Sequence, residues 1–458
     1  MNPAAASVLA QSLSGTVVLP DDAAYEQVRN VFSHKGSPDV VVRCADAEDV
    51  RKAITFAREQ GLRISVRSGG HSNAGLSTDD GGIVVDLSAM NGVEVLDAGR
   101  GLVRVGPGAT WIAVADHLQE HDLAFSSGDT TTVGVAGNLL GGGIGWMVRS
   151  HGLALDNLVA AEVVTADGRV LRASADDHAD LFWALRGGGG NFGIVTSFEI
   201  VARRGGRVHF GSVTYPAAEA AQVITGWTRH MRTAPDELTS HVALFPSFGG
   251  DPAPVTVLVC FAGEDVDAAE KAISPLLELG TVESKNIELM PYPAVLEDPG
   301  QLPGDWQPTV RNRFVQGVDA TFVDKLLEGA RSLDTLFVEL RSLGGAAGRV
   351  PEDATAFGHR GAELMVNTAK LGTRAENLQA APALTRFWES LAPYTCGAYS
   401  NFLSELDEAD LAAVYPPRTL ERLRAAKDAH DPGNLFSRNA NVAPSRPSLT
   451  GGPEGTST

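Results

Sequence analysis

The sequence predicts an α+β fold of at least two domains, and three observations carry that reading. The chain has 458 residues, more than the roughly 100–200 that one domain usually takes. Strand and helix signals alternate up to residue 205, in short segments divided by glycines. At Ala202-Arg203-Arg204-Gly205-Gly206-Arg207 the pattern changes. Residues 208–400 carry longer helical periods between strands, as an antiparallel sheet covered by helices on one side requires.

The elements follow in order. Val40-Val41-Val42-Arg43 is a short β-branched strand. Asp46 opens a helix whose apolar positions Val50, Ala53, Ile54 and Ala57 recur at i, i+3, i+4 and i+7, and Gly61 closes it. A strand over 62–66 runs into Arg67-Ser68-Gly69-Gly70-His71-Ser72, and a strand over 83–87 follows a Gly-Gly turn. Residues 93–105 read as a hairpin around Asp97-Ala98-Gly99-Arg100, and residues 160–172 as another around Asp167-Gly168. A helix over 175–186 stops at Gly187 to Gly190, and 194–201 returns as a strand. In the second half, helices over 218–232, 265–279, 321–333 and 374–391 separate strands such as 255–261 and 336–340. Residues 410–436 read as one helix ending in Asp431-Pro432-Gly433-Asn434. The tail over 446–458, rich in Gly, Ser, Thr and Pro, is expected to be disordered.

Composition narrows the partners. Lys and Arg number 37 against 56 Asp and Glu, a net charge of −19. Phosphate backbones and anionic membranes are gripped by clustered cations, so neither nucleic acid nor a membrane surface is expected. No run approaches the ~18 apolar residues of a membrane span. The three cysteines, Cys44, Cys260 and Cys396, stand far apart, which excludes a disulfide framework and a Cys-x-x-Cys zinc site. No metal site is expected. With no basic, apolar leader at the N-terminus, the chain is expected to be cytoplasmic.

Glycine is the unusual residue. There are 50, about 11% of the chain where about 7% is average. One cluster is Ser68-Gly69-Gly70, directly after a strand, where consecutive small residues let backbone N–H groups converge on an anion. Another comprises Gly134, Gly137, Gly141, Gly142, Gly143 and Gly145. Two glycine loops suit a long, flat, phosphate-bearing ligand laid against bare backbone, whereas turns alone explain one cluster better than both. The literal Gly-x-Gly-x-x-Gly at 188–193 follows a helix and precedes a strand, the reverse of a dinucleotide fingerprint. A hydrolase elbow fails at Ala74, where the second glycine should stand.

Five motifs now stand in order: RSGGHS at 67–72, GVAGNLLGGGIGW at 134–146, HGLALDNL at 151–158, RGGGGNFGIVTSFE at 186–199 and DPGNLF at 431–436. In order and spacing they resemble the berberine-bridge-enzyme-like FAD-linked oxidases, of bacterial type, in the vanillyl-alcohol-oxidase (PCMH-type FAD) superfamily. The resemblance implies a two-part FAD-binding domain, residues 1–205 with a C-terminal return over 403–445, and a substrate domain over 206–402.

It also implies roles. His71 matches the histidine joined to the flavin 8α carbon, and Arg67, Ser68, Gly69, Gly70, His71 and Ser72 match the pyrophosphate cradle. Gly137, Asn138, Gly141, Gly142 and Gly143 match the second FAD loop; Asn191, Gly193 and Val195 match the region near the adenosine half. Many relatives attach FAD a second time through a cysteine, but here Thr130 holds that place, so His71 is expected to be the only covalent link. Tyr399-Ser400-Asn401-Phe402 stands where relatives carry Tyr-x-Asn-Tyr, which makes Tyr399 the expected catalytic base, with Asn401 beside it and beside the flavin. Glu339 is next in line as base. Val133, three residues after Thr130, occupies the position that governs approach of oxygen.

The implied activity is hydride removal from an alcohol or amine-type carbon of a secondary metabolite or carbohydrate, with O2 as acceptor and H2O2 as product. The alternative is a flavoprotein of oxidative cyclisation or rearrangement. The expected partners are a small-molecule substrate and O2, and the expected state is a monomer or homodimer. One face of the strand over 336–341, either Phe337, Glu339 and Arg341 or Val338 and Leu340, is expected to look toward the flavin. Equally, Glu339 and Arg341 could form a solvated face.

Overall fold

The computed structural model describes residues 3–300 and 302–445, so the predicted disordered tail lies outside the described residues. Val40–Arg43, Ile83–Asp86 and Ile64–Arg67 pair in parallel, and Thr16–Val18 adds antiparallel at the edge. Val40, Val41 and Val42 are wholly buried, which is why this strand is an unbroken β-branched run rather than an alternating one. The helix Ala47–Gln60 joins the layer. Asp46 caps it by accepting from the Asp49 N–H at 2.9 Å, and Gly61 ends it at φ 64°.

A second, antiparallel sheet orders Val93–Asp97, Leu102–Val105, Ile194–Val201, Leu158–Val164 and Val170–Ser174. Both predicted hairpins lie in it. The helix expected over 175–186 starts only at Ala179, because the Ser174 hydroxyl accepts from the N–H groups of Asp176 and Asp177 and holds a turn there. An Ala-rich helix at Pro3–Ser12, unmarked in the sequence reading, seats Ala6 and Leu9 on the first layer.

From Arg207 to Gly397 the chain builds an eight-stranded antiparallel sheet. Its order is Ser284–Pro291, Arg207–Tyr215, Val255–Ala262, Leu238–Leu244, Leu336–Ser342, Leu364–Gly372, Gln307–Val315 and Thr395–Gly397. Helices cover one face. Leu336, Val338 and Leu340 share a core there with Trp227, Phe322, Leu326, Phe387 and Trp388 from Ala220–Met231, Ala320–Arg331 and Arg374–Leu391. The other face carries Glu339, Arg341 and, across the register, His241. Among the described residues no helix is long and apolar enough to cross a membrane.

The C-terminal segment packs back on the first half. The single helix expected over 410–436 is two, Glu408–Val414 and Pro417–His430. Pro416 and Pro417 force the break, since neither can donate to the preceding turn, and Pro417 is suited to open the next one. Tyr415, Leu423, Ala426, Ala440 and Val442 complete the core formed by Trp111, Leu139, Phe182 and Phe198. Lys427 is fully buried there. Its ammonium donates to Asn191 O (2.8 Å), Phe436 O (3.0 Å) and Asp431 Oδ2 (2.7 Å). Asp431 in turn accepts from the N–H groups of Leu435 and Phe436. This closed network is what DPGNLF encodes. Asp431→Ala strands a buried ammonium, which costs about 3–5 kcal/mol; a urea unfolding midpoint close to that of the parent protein would refute this account.

Candidate functional site

The site begins where the two glycine loops cross. A Cβ on Gly69 would sit 2.3 Å from Gly134 N, and one on Gly134 2.2 Å from Gly69 N, so only glycine allows the crossing. The crossing sets His71 beside Thr132, with His71 Nε2 and Thr132 Oγ1 2.9 Å apart. Phe32 stacks on the face of the imidazole at 4.6 Å and 20°. Partial burial holds the His71 pKa below its ordinary value, which favours the neutral ring, and only Nε2 has a hydrogen-bond partner among the described residues. Arg67 turns away from the loop. Its guanidinium donates to Val28 O and to Asp86 Oδ2, the latter at 2.7 Å. Ser68 donates to Pro107 O, and Ser72 Oγ accepts from Leu76 N.

The second loop forms the helix Val135–Gly141 and the bend after it. Gly141 lies against Asn401, Gly142 against the Tyr399 ring at φ 151°, and Gly143, at φ 78°, against Ala154. Gly137 differs, because a Cβ there would meet nothing within 4 Å. The same holds for Gly189 and Gly190. Asn138 Oδ1 is buried without a partner. Bare backbone that no protein packing explains, an orphaned acceptor and a neutral histidine on the adjoining loop fit a flat cofactor carrying phosphates. Asn191 braces from behind: its amide donates to Gly188 O and Ala440 O and accepts from Val442 N. Gly193 abuts Val163, and Val195 is core.

Tyr399 and Asn401 come together, though not as neighbours on one face of a strand. The strand ends at Gly397 and residues 400–402 form a tight turn. Asn312, fully buried, imposes it by donating to Tyr399 O and Phe402 O and accepting from Tyr399 N at 2.7 Å. The Tyr399 oxygen accepts from Gly143 N and from Asn401 Nδ2, each at 2.9 Å. Burial raises the Tyr399 pKa, while those two N–H donors and the charge of Arg341 oppose the rise.

Glu339 and Arg341 are buried, not solvated. Arg341 bridges Glu339 (2.6 Å) and Asp129 (2.5 Å), lies 5.0 Å over the Phe402 ring and leaves Nη1 unpaired. His241 approaches Glu339 to 3.3 Å and stacks on Trp146 at 4.0 Å. Burial alone would raise the Glu339 carboxyl, but Arg341 and His241 bring it down to about 2. Glu297 stands at the rim of this cluster, on a segment bridged to Thr130. Desolvation and the carboxylates of Asp129 and Glu339 push its pKa up. Val133 is half-buried, and its carbonyl accepts from Trp111 N at the start of the helix Trp111–Gln119.

Sequence reasoning missed Asp129, His241, Glu297 and Asn312. The charged pair Glu339 and Arg341 in an otherwise apolar strand implies partners for itself without identifying them, and no sequence signal marks Asn312.

Residues 38–174 match the model of an FAD binding domain. The chain is 32% identical to (R)-6-hydroxynicotine oxidase of Paenarthrobacter nicotinovorans, over 94% of this chain and 97% of that protein. It is 29% identical to the xylooligosaccharide oxidase of Thermothelomyces thermophilus, over 87% and 86%. The crystal structure of 6-hydroxy-D-nicotine oxidase from Arthrobacter nicotinovorans superposes with a TM-score of 0.86 at 29% identity, covering 94% of this chain and 98% of that one. Matched almost end to end by such relatives, the chain belongs to the PCMH-type, vanillyl-alcohol-oxidase family of FAD-linked oxidoreductases.

Proposed function

We propose that the protein is an FAD-linked oxidase that takes a hydride from an amine- or hydroxyl-bearing carbon of a small molecule, with O2 as acceptor and H2O2 as product. The observation that carries this reading is His71, stacked on Phe32 and bonded through Nε2 to Thr132 at the crossing of the two glycine loops. When bound, FAD supplies the hydride acceptor. Ser68 to Ser72 cradle its pyrophosphate; Gly137, Asn138 and Gly141 to Gly143 form the second wall. Arg67, Asn191, Gly193 and Val195 shape the cradle from behind.

His71 is the single point of attachment. Thr130 offers no thiol, and its hydroxyl donates to Asp129. Cys44 and Cys260 are buried and their thiols are pushed up by burial. Acid-precipitated protein should stay yellow, and His71→Ala protein should release its flavin. A yellow pellet from that variant, or a flavin-bearing cysteine peptide, would refute the assignment.

The substrate lies over the Glu339–Arg341 face. Two carboxylates, Asp129 and Glu339, pair with one guanidinium there and Glu297 stands at the rim, an acidic surrounding that favours a protonated amine over a neutral sugar. Glu339, ionised throughout the neutral range and tied to Arg341, anchors the cluster and makes a poor base. Tyr399 takes the substrate proton, its phenolate held by the Gly143 N–H and the Asn401 amide. Because burial raises its pKa, the ionised form is scarce at neutral pH, so anaerobic flavin reduction should accelerate with pH and reach no plateau below about pH 10. Tyr399→Phe should retain flavin and slow that reduction about 10²-fold or more; near-normal reduction would reassign the base. Reduction by sugars and not by amines, with products identified, would overturn the substrate reading.

Val133 governs oxygen access beside His71. Reduced enzyme mixed with air-saturated buffer should reoxidise within seconds and form peroxide, several-fold more slowly in Val133→Leu. A reduced flavin that persists for minutes in air would make the protein a dehydrogenase with another acceptor.

A further inference from the structure

A separate constellation stands at the far end of the helix Trp111–Gln119. Glu120 continues the helical backbone past the last assigned turn, and the His121 N–H bonds to Leu118 O at 3.0 Å. His117 and His121 are therefore one turn apart on one face, with Glu120 between them. Their rings meet edge to face at 5.3 Å, and His117 Nδ1 lies 3.8 Å from Glu120 Oε2. One donor atom from each of the three residues lies within 4.8 Å of the others. The backbone beyond is pinned as well. Asp122 N bonds to Gln119 O, Asp122 O accepts from Gly205 N, and Leu123 pairs with Arg204. Only side-chain rotamers remain to be set.

We propose that His117, Glu120 and His121 bind one divalent transition-metal ion of the zinc class. Two imidazole nitrogens and one carboxylate are the donor set that borderline ions take, and one that calcium and magnesium do not. With bonds of about 2.0–2.1 Å, tetrahedral ligand atoms lie about 3.4 Å apart, so small rotations close the present spacing. The sequence His-x-x-Glu-His places both imidazoles at i and i+4, the spacing that puts two histidine ligands on one ion. The ion would also sit at the carbonyl end of a helix, where positive charge is favoured. Glu120 and His121 are exposed, so the ion enters from solvent, and water completes its coordination.

The site is a clamp rather than a reaction centre. It lies about one helix length, roughly 13 Å, from the other end of that helix. There the N–H groups of Trp111 and Ile112 hold the carbonyls of Val133 and Thr131. Binding ties residue 117 to residue 121 and stiffens the helix on which the Thr130–Val133 loop rests.

The test is zinc chloride titrated by calorimetry into flavin-loaded, full-length protein at pH 7.5, with calcium chloride as control. One equivalent of zinc should bind and calcium should not. His117→Ala and His121→Ala should each weaken zinc at least tenfold and Glu120→Gln less so, in the order of ligand strength for this ion. Flavin content and circular dichroism should stay unchanged in all three. X-ray absorption of the loaded protein should show two imidazole nitrogens on zinc, and hydrogen exchange over 117–122 should slow on binding. Absence of stoichiometric zinc uptake would overturn the proposal. So would uptake that survives in the double variant His117→Ala/His121→Ala.

Discussion

Everything at the site descends from one close approach, Gly69 against Gly134. Backbone nitrogen stands where any side chain would begin. A single methyl group on either residue would push apart the strand-borne loop that ends in His71 and the loop that carries Thr130 to Val133. The bond between His71 and Thr132 is a consequence of this contact, because it depends on the separation of two loops some 60 residues apart in the chain; the stacking of Phe32 is set separately, by its own N–H bonded to Gly70 O. Gly141 and Gly142 repeat the device, admitting Asn401 and the Tyr399 ring against the bend of the second loop. High glycine content is thus spent on letting distant backbones touch.

The second constraint is electrostatic. Arg341 is sequestered with two carboxylates on the sheet face that the helices leave uncovered, and through Asp129 the cluster reaches the loop that carries Thr130 to Val133. Buried ion pairs add little to stability in general, but removing one member exposes the other to an environment without water. Arg341 Nη1 and His241 Nε2 are left without hydrogen-bond partners in this cluster.

The glycine loops and His71 were legible because each is contiguous in the chain and glycine runs have few other uses. The helix starting at Asp46 and both hairpins were legible for the same local reason. Glu339 and Arg341 could be seen as an anomaly in an apolar strand, yet their partners could not. Cross-strand register brings His241 opposite Arg341, and a loop two hundred residues earlier supplies Asp129. Asn312 was invisible because an asparagine in a strand carries no pattern until its amide is seen clasping the turn at Tyr399. Helical periodicity runs through Tyr415, and only the two prolines that follow mark the break there.

The buried amide of Asn191 has a further consequence, for the order of events during synthesis. It is satisfied by Ala440 and Val442, the latter 251 residues downstream. At about 5–20 residues per second, a ribosome needs about 12–50 s to travel that distance. Until then the first half of the chain waits with an unsealed core and an unmatched polar group. Closure of the core around Asn191 therefore waits for residues 440–442, and truncation before them wounds the N-terminal half first.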